Sequence, residues 1–321
     1  MMHLRLISPR ALTNPVLEYL KNEGSVTNIV LHRGAAIDPV GDVIIGDVPR
    51  EAADEVINKL KSLGLERSGS IALDAVGVAL SQRGVLAEKA APGWGDDAVV
   101  WEEVEQRTGE ESRLSVTFLL FLSIATIIAG IAVLLDQPIL VVGAMVVGPE
   151  FGPLAALSVG VVRRRPAVIG RSLLALVVGF AVAILVTVLT TLALNAAGLI
   201  NREMLLAARP LTDFIWRPDA LSWVIAFLAG VAGILSLTAA KSGALIGVLI
   251  SVTTVPAAGN VAVAVAYGVP NEAWGSALQL GINLGAITTA GILTLAVQRY
   301  LGRRRERRRN RGEERTGTIA P

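Results

Sequence analysis

The sequence contains no cysteine and only two histidines. Disulfides, thiolate metal sites and a cysteine nucleophile are therefore excluded. Aromatic residues make up 4% and charged residues 17%, against 53% hydrophobic. So little charge in 321 residues is too little for one soluble domain and indicates a polytopic membrane protein. The N-terminus shows no basic stretch followed by an apolar h-region, so no cleavable signal is expected and the first span directs insertion.

The charge that exists is unevenly placed. Residues 1–113 carry 12 Lys/Arg against 18 Asp/Glu, and the remainder carry 17 against 9. An acidic, soluble front precedes an apolar, Arg-flanked back. Residues 1–81 read as a small α/β domain. Strands are expected at Leu4–Ile7, Val26–His32, Asp42–Val48 and Ser70–Leu80. Helices are expected at Thr13–Glu23, capped by Thr13, and at Arg50–Leu63, where Ala53, Val56, Ile57 and Leu60 recur at helical spacing. The order βαββαβ is the ferredoxin-like pattern, a shape that suits ligand sensing or dimerisation. His3 and His32 read as strand-edge residues, since no carboxylate or cysteine is spaced with them as a ligand set. Residues 82–113 are expected to be a Gly/Pro linker followed by an acidic helix from Asp96, with Trp101 as an interfacial anchor.

Six apolar runs follow: Leu114–Leu135, Pro138–Val162, Val168–Ala197, Ala220–Ala240, Gly243–Gly268 and Ala273–Val297. Each offers the roughly 20 apolar residues that cross about 30 Å of hydrocarbon. Arg163, Arg164, Arg165, Arg171, Lys241 and the Arg-rich tail 299–321 fall on one side of such a topology. The positive-inside rule puts that side, and both termini, in the cytoplasm of a cell (inner) membrane protein. The tail is expected to be disordered and to touch anionic lipid headgroups rather than nucleic acid.

Two of the runs contain residues that a spanning helix avoids. The second holds Gly148-Pro149-Glu150-Phe151-Gly152-Pro153, and the fifth holds Thr253-Thr254-Val255-Pro256-Ala257-Ala258-Gly259-Asn260. Proline removes a helical hydrogen bond and glycine tolerates the turn that follows. Backbone groups freed in hydrocarbon must find protein, water or a ligand. From Leu114 to Pro149 is 35 residues, as it is from Leu221 to Pro256. Aligning the prolines gives a 3+3 repeat, and three spans per unit place the second copy upside down. Paired broken helices near the midplane form the binding sites of many inverted-repeat transporters.

Glu150 is the only charged side chain expected well inside any span, and such a group is a functional candidate by default, for proton carriage or for a cation. Its structural alternative is a cap on the second half-helix. Thr253, Thr254, Asn260, Gln279 and Asn283 are further polar candidates. Gln279 and Asn283 are four apart, beside a Gly281–Gly285 pair that suits interhelical packing.

The runs VVGAMVVGPEFGP, with Asp136 before it, and GALIGVLISVTTVPAAGN, together with Asn283 and the segment DAVVWEEVEQRTGEESRLS, resemble a bacterial and archaeal hydrophobic-domain family, domain of unknown function 389. The resemblance runs from about Asp96 to Arg299. It implies an integral membrane protein and no particular activity, and the position of Glu150 in that family is often apolar.

The sequence thus leads to a six-span α-helical membrane domain with a ferredoxin-like cytoplasmic domain. It is expected to act as a transporter- or channel-like protein for an ion or small solute. Gly148, Pro149, Glu150, Gly152, Pro153, Thr253, Thr254, Pro256, Gly259, Asn260 and Asn283 are expected to line the site. The lipid bilayer, and a second copy in a homo-oligomer, are its expected partners. No cofactor, metal or enzyme chemistry is expected. The rival reading is a membrane-anchored sensor or scaffold whose function lies in the soluble domain.

Overall fold

A computed structural model describes residues 1–76, 81–91, 99–239 and 253–317. The chain divides into two compact units, Met1–Glu103 with Tyr300–Pro321, and Val104–Arg299.

The first unit contains β1 (Met2–Ser8), α1 (Arg10–Asn22), β2 (Thr27–Ile37), β3 (Val40–Val48), α2 (Arg50–Ser62), a short α3 (Leu65–Ser68), β4 (Ser70–Ala75) and α4 (Gln82–Ala90). The sheet order is β2-β3-β1-β4, antiparallel throughout. Leu4 pairs with Gly46 and Leu73, and Leu6 with Ile44 and Ile71. The period of two turns Met2, Leu4 and Leu6 inward, against Val16 and Leu20 of α1 and Val56 and Leu60 of α2. Thr13 does not cap its helix, which begins after Pro9. Instead its hydroxyl donates to the buried Asp42 at 2.8 Å, and Asp42 also accepts the Gly34 N–H at 2.7 Å. Part of the expected linker is the helix α4, capped by Ser81. Residues 77–80 of the expected last strand lie outside the described residues.

The second unit is helical: the end of α5 (Trp101–Glu111), α6 (Val116–Leu134), α7 (Pro138–Val147), α8 (Phe151–Arg163), α9 (Pro166–Ala196), α10 (Arg202–Leu206), α11 (Ala220–Thr238), α12 (Thr254–Ala266) and α13, which starts at Pro270. Among the described residues four helices are long and apolar enough to cross a membrane, namely α6, α9, α11 and the Pro270–Gly302 part of α13, and α7 and α8 meet the same measure only together, with a 53° bend at the break between them. The break expected in the second run is therefore present. In the fifth run Thr254 is the first residue of α12, and residues 240–252 lie outside the described residues. The tail, expected to lack structure, continues α13 as helix to Gly317, in keeping with the helix propensity of its Arg and Glu residues.

Polar contacts gather at two ends of this unit. At one end Glu105 pairs with Arg163 at 2.5 Å, the Arg299 guanidinium donates to the Val162 carbonyl, and Gln298 donates to Thr238 at 2.9 Å. At the other end Leu211 N–H and the Thr212 hydroxyl donate to Asp136, Arg202 donates to the Tyr267 carbonyl, and Arg209 pairs with Glu272. Helix α8 closes at the first end and α12 at the second.

Several local features recur with a fixed spacing. Ser115 caps α6 through Phe118 N–H, and Asp219, 104 residues on, caps α11 through Ser222 N–H. Arg164 and Gly268, again 104 apart, end α8 and α12 with φ of 56° and 66°. The bond Arg165 N–H to Gly160 carbonyl recurs as Val269 N–H to Ala264 carbonyl, both at 2.8 Å. Pro166 opens α9 and Pro270 opens α13, where proline's missing N–H costs nothing.

Candidate functional site

The bend between α7 and α8 is built by Gly148, Pro149 and Glu150. Gly148 ends α7 in an extended conformation, and a Cβ there would strike the Glu150 carboxyl and lie 2.7 Å from Val255. Only glycine allows the glutamate to fold back over it. Glu150 is 5% exposed and stands at the start of α8 without capping it through its side chain. Its Oε1 accepts the Thr254 hydroxyl at 2.6 Å, whereas Oε2 is buried with no partner. The capping alternative read from the sequence is therefore not the arrangement found. Beside this pair the Asn283 amide donates to the Thr253 hydroxyl at 2.9 Å, and Gln279 donates to Asn283 at 3.1 Å.

A second buried cluster lies further along α12. The Asn260 amide nitrogen donates to Glu272 at 3.0 Å and to Ser276 at 2.8 Å. Glu272 also receives the Arg209 guanidinium, and both charged residues are about as buried as Glu150. Arg209 Nε and Nη1 and Asn260 Oδ1 are left without partners. Arg209 is held there by its loop: Asp136 anchors Leu211 and Thr212, and Gly275 lies so close to the Trp216 carbonyl that it has no room for a side chain.

The two clusters share one face of α13. Glu272, Ser276, Gln279 and Asn283 are spaced four, three and four, which stacks them over three turns. Since Thr253 meets Asn283 and Asn260 meets Ser276, α12 and α13 run antiparallel, and polar groups line their seam. Gly148, Pro149, Phe151 and Gly152 also line a cavity of about 330 Å³, together with Glu110, Arg113 and Ser115. Among the described residues no three His, Asp or Glu side chains group as a metal-ligand set.

Of the residues expected at the site, Gly148, Glu150 and Thr254 come together, with Thr253 and Asn283 adjoining. Pro149 and Gly152 line the cavity. Asn260 belongs to the second cluster. Pro153 and Pro256 are each the third residue of their helix. Gly259 is a packing residue, since a Cβ on it would lie 2.8 Å from the backbone of Thr126 and Gly130 in α6. Gly281 and Gly285 face open space, so neither forms a seam with another described residue of this chain. Sequence reasoning missed Arg209, Glu272 and Ser276, because their positions fell in or beside a connection expected at the membrane surface. The polar spacing on α13 is the signal that could have found Glu272 and Ser276.

Residues 145–289 match the family model "Domain of unknown function (DUF389)". The match agrees with the resemblance read from the sequence and spans the bend, the seam and both buried clusters. The DUF389 segment begins in the last turns of α7 and ends within α13, leaving the N-terminal sheet outside it. Comparison with curated proteins and with solved structures returned no match.

Proposed function

We propose that this chain is a multi-pass protein of the cell membrane that passes an ion or small solute through the interrupted helices of its DUF389 segment. The observation that carries the reading is the Glu150–Thr254 hydrogen bond. Its two residues are 104 apart, the spacing at which caps, left-handed residues and helix starts recur. A residue that contacts its own counterpart lies on the axis relating two copies. Because α8 and α12 close at opposite ends, the repeat is inverted and its axis lies in the membrane plane. By composition the run Gly243–Gly268 has the apolar length of a sixth crossing. Helix lengths agree: at 1.5 Å per residue, α7 puts the bend roughly 15 Å from one end, near the centre of a hydrocarbon layer about 30 Å thick. Binding sites of inverted-repeat carriers occupy that position.

The end carrying Arg163 and Arg299 faces the cytoplasm, as the excess of arginine there supports. Both termini lie on that side, and the basic tail meets anionic lipid. The sheet order of the first unit supports a ferredoxin-like domain, which regulates the membrane part or joins it to a second copy.

Proteoliposomes holding the purified chain, tested with a panel of ions and small solutes, are expected to show flux that Glu150→Gln abolishes. Flux of none of them, with a ligand bound instead to residues 1–81, sinks the transport reading in favour of a sensor.

A further inference from the structure

The unpaired atoms of the seam say what it takes. Among the described residues, the buried polar atoms of the seam between the bend and Asn260 that have no partner are Glu150 Oε2, Gln279 Oε1 and Asn260 Oδ1, all oxygens. The Asn260 assignment is fixed by chemistry: its other amide atom faces the Glu272 carboxylate and must be the donor. A buried acceptor without a donor is unfavourable, so three such oxygens in an apolar unit define a place for positive charge. The nitrogens without partners, Arg209 Nε and Nη1, are confined to the Glu272 end.

We propose that the seam binds a bare monovalent cation, a proton or an alkali ion, at oxygen stations on Glu150, Gln279 and Asn260. Arg209 is a tethered cation that occupies Glu272 and closes the far end. The inference rests on the transport reading and names its substrate class. From Thr254 to Asn260 is six helical residues, or about 9 Å, so Glu150 and Asn260 are successive stations rather than one coordination shell. The cavity that Gly148 and Pro149 line is the proposed approach toward the bend, where Glu150 itself stays buried. Passage beyond Asn260 needs the arriving charge to replace Arg209 at Glu272. The Arg209–Glu272 pair is a gate of the same charge type as its cargo.

The test uses the full chain in detergent and in proteoliposomes. Thermal stability is measured in sodium, potassium and lithium chloride at fixed pH, with choline chloride and choline acetate as anion controls. Proton uptake is followed with an internal pH dye under a potassium diffusion potential, with and without sodium outside. One alkali cation, or protons, is expected to bind or flow, while choline salts do nothing. Glu150→Gln is expected to lower the effect at least about tenfold, the loss of one charged hydrogen-bonding group, and Gln279→Met to lower it less. Arg209→Gln with Glu272→Gln is expected to raise passive cation leak. Flux of an anion or neutral solute with no cation or proton dependence overturns this inference and leaves the transport reading standing. Absence of any flux and of any binding overturns both. A cation effect unchanged in Glu150→Gln and Gln279→Met overturns the assignment of the stations.

Discussion

Gly259 gives the most exacting check on how α12 is seated. A methyl group there would sit 2.8 Å from Gly130 N and Thr126 O and 2.9 Å from Ala129 Cβ. Ordinary contact begins near 3.4 Å, so α6 and α12 would have to part by about 0.6 Å. Two of the three atoms belong to backbone and cannot swing aside. Overpacking of this kind costs about 1–3 kcal/mol. Alanine returns about 1 kcal/mol through its better helix propensity. The rigid neighbours favour the upper figure, and Gly259→Ala is expected to be destabilising by about 2 kcal/mol. At Gly130 the new methyl group meets only side-chain carbons, at 3.0 and 3.4 Å, and the backbone oxygen of Gly259 at 3.5 Å, so the two effects nearly cancel. At Gly281 nothing lies within 4 Å, and alanine is expected to stabilise by about 1 kcal/mol. The three variants would be unfolded by titrating an ionic detergent into mild micelles and followed by tryptophan fluorescence. A Gly259→Ala protein as stable as Gly281→Ala would refute the close seating of α12 on α6.

Two further expectations concern charge. In the N-terminal sheet, the Gly34 N–H and the Thr13 hydroxyl hold the Asp42 carboxyl below the usual carboxylate range. A lowered folded-state value means stability that is present above the unfolded value, near pH 4, and lost as pH falls through the folded one. Hydrogen exchange of β2 and β3 should therefore quicken on acidification, and Asp42→Asn should be weaker at neutral pH with a flatter response. In the membrane unit, Arg209→Met or Glu272→Gln alone leaves a buried charge without its partner and is expected to cost about 3–5 kcal/mol. The double variant should cost clearly less than the sum, as a thermal-melt cycle on the four proteins would reveal.

How far the sequence could be read varied with the kind of signal. Strands β1 and β3 and helix α2 were legible because one face is buried and the period of two or 3.6 follows. The long apolar helices were legible by length alone, and the bend at Gly148–Glu150 by residues that no straight helix tolerates. Matching Pro149 with Pro256 gives a spacing of 107, whereas the caps of α6 and α11 and the starts of α9 and α13 recur at 104. Proline misled because in both helices it marks a first turn, at Pro153 and Pro256, rather than the break itself. Arg209 and Glu272 were hidden for another reason. Their charges, near Pro210 and Pro270, read as surface connections, and only the loop pinned by Asp136 turns Arg209 inward.

Under the proposed inverted repeat, the contact between Glu150 and Thr254 also bears on how such a chain could arise. Duplication of a single three-helix gene first yields two copies with the same residue at this position. Had it been glutamate, two carboxylates would have faced each other across the axis in hydrocarbon, each repelling the other. Had it been threonine, the centre would have held no acid at all. A working pair with one acid and one hydroxyl is open only to copies free to differ. Fusion into one polypeptide, rather than assembly from identical subunits, is what permits that asymmetry.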